Sequence, residues 1–383
     1  MIARRHQVAL ALTAILAAAA ACHNQERQEA AGPGRPAPPA VRDFTLVATG
    51  DVLANASVAD RAAFDARGAG YDYRPMLSGV APAVRRADVA LCHMESVYTD
   101  PGAPAGRGAV LSPPQIADGL AAAGYDSCST ASEHALDDGP AGVRRTLDAM
   151  DRAGLRHAGT ARTEAEAHAV TLLQAGPAKV AHLSYTFGTD GHPLPTGQPW
   201  AVNLLDTGRI VSDARAARLA GADVVVVSVH WGTEWQDAPD QLQTTLARRL
   251  TASRTNGRPD IDLILGSHAH VPQPYEKVNG TWVVYGLGDQ IAGEMYNDRG
   301  VQDPRGNEST IARFTFTRPT RPGGRWEVRR AEFVPQMYDL DAGRVLDLNR
   351  AIAEGADLQG VRDRISGVVL GRGAAADGLV MGD

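Results

Sequence analysis

Apolar residues in this chain come in short blocks that stop abruptly at polar, chemically capable side chains. Residues 44–49 (FTLVAT) form one such block, ending at Gly50 and Asp51. Residues 88–93 (DVALCH) form a second, and residues 125–130 (YDSCST) a weaker third. Residues 223–230 (DVVVVSVH) are β-branched and continuous, which predicts a strand buried on both faces. Residues 169–173 and 179–185 predict a strand pair that turns at Gly176 and Pro177. Residues 261–266 and 281–287 predict two more strands, and residues 311–317 with 325–333 a closing hairpin. Between these blocks the period becomes helical. Residues 114–123 place Ile116, Leu120 and Ala123 on one face. Residues 139–153 place Val143, Leu147 and Met150 on another, with Gly154 as the stop. Residues 207–220 and 239–251 read the same way. Alternating strands and helices predict an α/β layered architecture.

The first 42 residues break this pattern. Arg4 and Arg5 precede an apolar run over residues 8–21. A charged start, a short apolar stretch and small residues at its end describe a secretory signal over residues 1–21. The run is shorter than the ~20 apolar residues that span a bilayer. Its end, residues 16–21 (LAAAAA) before Cys22, resembles a bacterial lipobox, with Ala19 where Leu is usual. That resemblance implies lipidation of Cys22 and anchoring to the outer face of the cytoplasmic membrane. Cleavage after an alanine, without lipid, is the alternative. Residues 22–42 are Pro-rich and polar with no apolar period, and read as a disordered tether. The folded domain is expected over residues 43–340. Residues 341–383 read as a C-terminal extension with one helical period, Gly-rich and partly disordered after it.

Composition narrows the function classes. The chain has 383 residues, 44% of them hydrophobic, and a formal net charge of −6 from 38 basic and 44 acidic residues. No basic stripe points to nucleic acid. Cys92 and Cys128 are a candidate disulfide in an oxidising compartment, with two buried free thiols as the alternative.

The polar residues of interest lie where strands stop, which is where sites form in open α/β sheets. Asp51 follows the first strand. His93 and Glu95 end the second, and Glu133 and His134 follow the third. His230 ends the valine strand. His268 and His270 follow residues 261–266, and a spacing of two predicts both side chains on one side of an extended chain. Singly, each has an ordinary structural explanation. Together, histidines and carboxylates past the ends of separate buried strands make a ligand set for Zn, Mn or Fe, and two such ions can activate water for displacement chemistry. Asp137 is a candidate to orient His134. Gln273 and Glu276 are candidates to orient His268 or His270. Trp200, Trp231 and Trp235 are read as packing rather than as a substrate groove.

Six ordered blocks carry a family resemblance. They are residues 48–51 (ATGD), 92–96 (CHMES), 131–139 (ASEHALDDG), 230–235 (HWGTEW), 266–276 (GSHAHVPQPYE) and 285–289 (YGLGD). In that order they are similar to the CapA family of poly-γ-glutamate capsule synthesis proteins, of the calcineurin-like metallophosphoesterase superfamily. The resemblance covers roughly residues 44–293. It implies a four-layer αββα sandwich and the binding of two divalent metal ions, of Mn, Zn or Fe type. Asp51 and His270 would hold one ion, and His230, His268 and Glu133 the other. Glu95 would bridge, with His93 beside it, and His134 would be the catalytic outer histidine. Three departures stand out: Leu53 replaces a histidine ligand, Glu133 an asparagine, and His93 an asparagine. The implied function is a metal-dependent hydrolase or transferase of cell-envelope polymer biosynthesis. Its substrate would be the polymer or a phosphoester, and its partners capsule synthesis or export proteins. The alternative is a non-catalytic polymer-binding or export-assembly subunit.

Overall fold

Alternation along each strand decides which layer its side chains enter. In β1 (Phe44–Val52), Phe44, Leu46 and Ala48 point into a core shared by two sheets, while Val47 points the other way. In the valine strand (Val224–His230), Val224 and Val226 enter the shared core, and Val225, Val227 and Val229 the opposite face. The period of two thus builds two sheets face to face, each needing a cover on its far side. The computed structural model describes residues 43–68, 70–100, 110–320 and 324–383. The expected signal segment, Cys22 and the tether lie outside the described residues.

The first sheet contains β1, β2 (Val89–Met94), β3 (Ser127–Ser129) and β4 (Arg156–Ala158), all parallel. The second centres on three parallel strands, β6 (Ala178–Thr186), β7 (Val224–His230) and β8 (Leu263–Ser267), with β5 (Thr171–Ala175) antiparallel at its edge. Its other edge is β9 (Tyr275–Val278) and β10 (Thr281–Val284). A short strand, β11 (Asp289–Ile291), then returns to pair with β1, and the hairpin of β12 (Glu308–Thr317) and β13 (Glu327–Asp339) extends the first sheet.

Helices cover both outer faces. α1 (Ala56–Asp65), α2 (Ala81–Arg85), α3 (Gln115–Ala123) and α4 (Gly139–Ala153) contribute to the core outside the first sheet. α5 (Thr207–Leu219) and α6 (Gln241–Ala252) place Ile210, Ala214, Leu246 and Leu250 against the second. The order of layers is therefore helix, sheet, sheet, helix. Each predicted helix has a local reason for its bounds. α4 ends at Gly154 with φ +82°, and α6 begins at Asp240, whose side chain caps Gln243 in a reciprocal capping box. Among the described residues no helix is long and apolar enough to cross a membrane.

The C-terminal stretch departs from the sequence expectation. Residues 344–381 are ordered as β14 (Arg344–Asp347), α7 (Leu348–Ala353), α8 (Gln359–Val369) and β15 (Leu379–Met381), and β14 and β15 both pair with β13. In α8 only Ile365 and Val369 are buried. Val361 and Leu370 pack partly buried against the same core, and the stability of the helix comes from docking on the hairpin. The Arg364–Glu308 ion pair and the Asn349 side-chain bond to the Gly382 carbonyl fasten it there.

Cys92 and Cys128 face each other on β2 and β3 and are joined as a disulfide. The bond closes a separation of 36 residues and fixes the register one step before His93 and Ser129. Replacing both cysteines with serine is expected to cost about 2–4 kcal/mol of stability, read from denaturant unfolding under oxidising conditions. An unchanged midpoint would refute the bond.

Candidate metal centre

The parallel strands of both sheets end at one edge of the sandwich, and the strand-end residues converge there. Asp51 sits near the end of β1, in register with His93 of β2 on one side and Asp289 of β11 on the other. Glu95 lies just past β2. Glu133 and His134 open the short helical turn Glu133–Leu136 after β3. His230 is the last residue of β7, opposite Ser267 of β8.

Two close backbone approaches set this geometry. A Cβ on Gly50 would fall 1.7 Å from the Gly288 carbonyl oxygen, and the same carbonyl accepts the Asp51 N–H at 3.1 Å. Only glycine lets β1 pass so near residue 288 and keep Asp51 beside Asp289. Gly50→Ala is expected to lower stability by about 3 kcal/mol and to weaken metal uptake; wild-type unfolding and metal content in that variant would refute the assignment.

The loop after β8 carries His268 and His270 at positive φ, +89° and +58°. Such backbone is strained for a residue with a side chain and persists where neighbours enforce it. The Asp51 carboxylate accepts the His268 N–H at 2.8 Å, and the Ala269 carbonyl accepts the Trp235 N–H at 2.9 Å. The backbone here is therefore not the extended chain the spacing predicts, although both rings still enter the same centre. The turn sends the two imidazoles to different groups, with ring centroids 6.1 Å apart.

Three overlapping sets of ligand atoms result, each with its atoms within 4.8 Å of one another. Asp51, Glu95, His270 and Asp289 form one, and Glu133, His230 and His268 another. Glu95, Glu133 and His134 form a third between them. Among the described residues, Asp51 Oδ1, both Glu95 carboxylate oxygens, Glu133 Oε2, His230 Nε2 and His268 Nδ1 are buried without a hydrogen-bond partner. Glu133 Oε2 stands 3.0 Å from His268 Nδ1 and 3.6 Å from His230 Nε2. One carboxylate oxygen thus sits between two imidazole nitrogens, and these three atoms belong to one candidate ligand set. Leaving so many polar atoms buried and unpaired would cost several kcal/mol. Divalent cations satisfy all of them, and two would neutralise the four carboxylates.

The electrostatics agree with a metal-binding fit. Burial pushes the Asp51 carboxyl well above its usual range, and the nearby Asp289 adds to it. Burial does the same to Glu95, partly offset by His270. At Glu133 burial acts upward but is outweighed by the His230 and His268 rings, which hold the group below its ordinary range. Burial drives His230 down to about 3, so its ring is neutral and free to ligate. Burial also lowers His270, but the charges of Asp289 and Glu95 prevail and raise it well above normal.

Neighbouring side chains orient the rings. Ser267 Oγ lies 3.0 Å from His230 Nδ1, which leaves Nε2 toward the centre. His93 Nδ1 is 2.7 Å from Ser129 Oγ, and its ring stacks on His230 at 4.8 Å. His93 thus stacks on a ligand and belongs to none of the three groups, although its Nε2 is also buried without a hydrogen-bond partner. His134 is held through Nδ1 by Asp137 at 3.0 Å, and its Nε2 lies 3.8 Å from Glu133 and 3.9 Å from Glu95. Burial alone would lower the His134 pKa, but Asp137 raises it. With its side chain 20% exposed, His134 stands between the centre and solvent.

Two expected residues lie elsewhere. The Gln273 side chain bonds the Gln236 carbonyl and the Gln243 amide, both at 2.7 Å, and ties loops together instead of orienting a histidine. Glu276 accepts from the Tyr285 hydroxyl and pairs with Arg372 away from the centre. Trp231 is fully buried with its Nε1 bonded to the Tyr285 carbonyl, as packing requires.

Sequence reasoning missed Asp289, although it follows an apolar block through a Gly-Asp step just as Asp51 does. It also missed Phe187, whose ring is 45% exposed and lies 4.6 Å from that of His268. Nothing in the sequence near Phe187 marks it. At Leu53 the missing ligand is replaced by packing: the side chain is 6% exposed and sits with Ala292 and Met295, against Val110 and Trp235.

Comparison with known proteins places the chain in a family. The model of the bacterial capsule synthesis protein PGA_cap family matches residues 45–294. The chain is 29% identical over 169 residues to the PGA biosynthesis protein CapA of Bacillus subtilis, covering 43% of this chain and 41% of that one. It is 26% identical over 172 residues to the capsule biosynthesis protein CapA of Bacillus anthracis, covering 44% and 40%. The chain spans between 30% and 62% of the length of the curated relatives it matches. Among solved structures, a 5'-nucleotidase precursor from Thermus thermophilus aligns over 84% of this chain and 59% of its own, at 16% identity and a TM-score of 0.45.

Proposed function

Because the chain belongs to the PGA_cap family of bacterial capsule synthesis proteins, we propose that it is a metal-dependent hydrolase or transferase acting on a cell-envelope polymer of the poly-γ-glutamate kind or on a phosphoester. The observation that carries this reading is the set of buried, unpartnered ligand atoms at the strand ends. Bound divalent ions would supply Lewis-acid polarisation of the substrate and a water of lowered pKa. Asp51, Glu95, His270 and Asp289 would hold one ion, and Glu133, His230 and His268 the other. The protein's own part in proton transfer falls to His134. Its Nδ1 is fixed by Asp137, so Nε2 carries or gives up the mobile proton at the mouth of the centre. The Phe187 ring lies against His268 at the rim of the centre.

Export and lipid anchoring at Cys22 form part of the same proposal. They rest on the N-terminal sequence alone and would put the centre outside the cytoplasmic membrane, beside capsule synthesis or export partners. A second reading, a polymer-binding or assembly subunit without turnover, is favoured by one observation: the packed Leu53 where a ligand would stand.

The purified full chain, loaded with Mn(II) or Zn(II), is to be assayed against aryl phosphomonoesters, phosphodiesters and poly-γ-glutamate. Metal-dependent turnover that falls about 100-fold or more in His134→Gln is the expected result. No turnover on any of them, with polymer binding that survives chelation, would replace the first reading with the second.

A further inference from the structure

The two groups of ligands are not chemically alike. One offers three carboxylates and one imidazole, from Asp51, Glu95, Asp289 and His270. The other offers one carboxylate and two imidazoles, from Glu133, His230 and His268. Carboxylate oxygens suit hard cations such as Mn(II), while imidazole suits Zn(II) and its neighbours. We propose that the two positions take unlike metals, a Mn(II)-type ion at the Asp51 group and a Zn(II)-type ion at the His230 group, and that Asp289 is the ligand that makes the first position hard. The inference rests on the metal-dependent reading above and specifies its centre.

Two features of this chain produce the asymmetry. Leu53 stands where the resemblance implies an imidazole, and it packs with Ala292 and Met295 instead of offering a donor. Asp289 enters from the opposite side, on β11, in register with Asp51. Both its carboxylate oxygens lie 3.1 Å from His270 Nδ1, and the side chain is fully buried. Asp51 Oδ1 and both Glu95 oxygens are buried and unpaired beside it, so the first position is oxygen-rich and aimed inward. At the second position the unpaired atoms are two ring nitrogens and one oxygen. Zn(II) outcompetes Mn(II) at almost any nitrogen–oxygen site. Selection therefore shows when zinc is limiting: the scarce zinc goes to the two-imidazole position and leaves the carboxylate position to manganese.

The test uses the full chain, stripped by chelation and then given one equivalent of Zn(II) and excess Mn(II). Metal content is measured, and anomalous diffraction at the two absorption edges locates each ion. One zinc at His230 and His268 and one manganese at Asp51 and Asp289 is the expected result. Asp289→Asn should weaken Mn(II) binding by about tenfold or more and leave zinc retention unchanged. Zinc at the Asp51 position, zinc shared equally between positions, or Asp289→Asn binding Mn(II) like the wild type would each overturn the proposal. The wild-type diffraction result stands even if the variant folds poorly. Binding of both metals as described, without turnover, would overturn only the catalytic reading. Failure to bind either metal would overturn both.

Discussion

Replacing His230 and His268 together by alanine is expected to leave the chain folded but remove the metal of the second position. Turnover should fall about 1000-fold or more. Both rings are buried, and the nitrogens they turn toward the centre contact the Glu133 carboxylate. Their removal breaks few native hydrogen bonds; the one from Ser267 to His230 is the main loss. Glu133 is the side chain most affected. Burial raises its pKa and the two neighbouring rings lower it, so removing them shifts the carboxyl upward and makes it a poorer ligand. Metal content should drop by one equivalent per chain. Full turnover in a variant that had lost this metal would show that the centre does no chemistry.

Metal should stabilise the protein far more at pH 8 than at pH 5. In the metal-free protein Asp51, Glu95, Asp289 and His270 all have raised pKa values. Burial is the largest cause at the three carboxyls, and at His270 the carboxylate charges overcome it. A raised value means that the folded state holds its proton more tightly than the unfolded chain. The stability these groups contribute is complete below the unfolded values, about 4 for the carboxyls and about 6.5 for histidine. It is lost as pH rises through the raised ones. His230, pushed down to about 3 by burial, has the opposite sign: its contribution is lost as pH falls below about 6.5. Glu133, held low, likewise loses its contribution under acid. Metal ions replace protons at these ligands, so affinity climbs with pH. At a concentration near 1000 times the dissociation constant, each site adds about 4 kcal/mol, which for a domain of this size shifts the melting temperature by roughly 11 °C in total. Differential scanning calorimetry with and without Mn(II) and Zn(II) at the two pH values reads this directly. Equal shifts at both would contradict the ligand assignment.

Much of the centre could be read from the chain alone because one rule locates it. Buried strands in an α/β sheet end at a common edge, so polar residues just past such blocks are neighbours in space. Asp51, Glu95, Glu133, His134, His230, His268 and His270 all follow from that rule. Gln273 and Glu276 did not, because they were placed by nearness in sequence to the histidines. Their side chains are instead claimed by Gln236, Gln243, Tyr285 and Arg372. The C-terminal strap was illegible for a different reason. Val361, Ile365 and Val369 of α8 repeat every four residues, but Gly360 and Gly367 interrupt the pattern, and the helix docks on the hairpin it covers.

By itself, then, the sequence determined the layers and the edge: a period of two sorts each strand between inner and outer core, and the end of each apolar block marks where chemistry collects. Only the tertiary structure decided how the ligands divide. The positive-φ turn sends His268 and His270 to separate groups. The close pass of Gly50 by the Gly288 carbonyl brings Asp289 to Asp51. Contacts between strands far apart in the chain set these positions, and no local pattern encodes them.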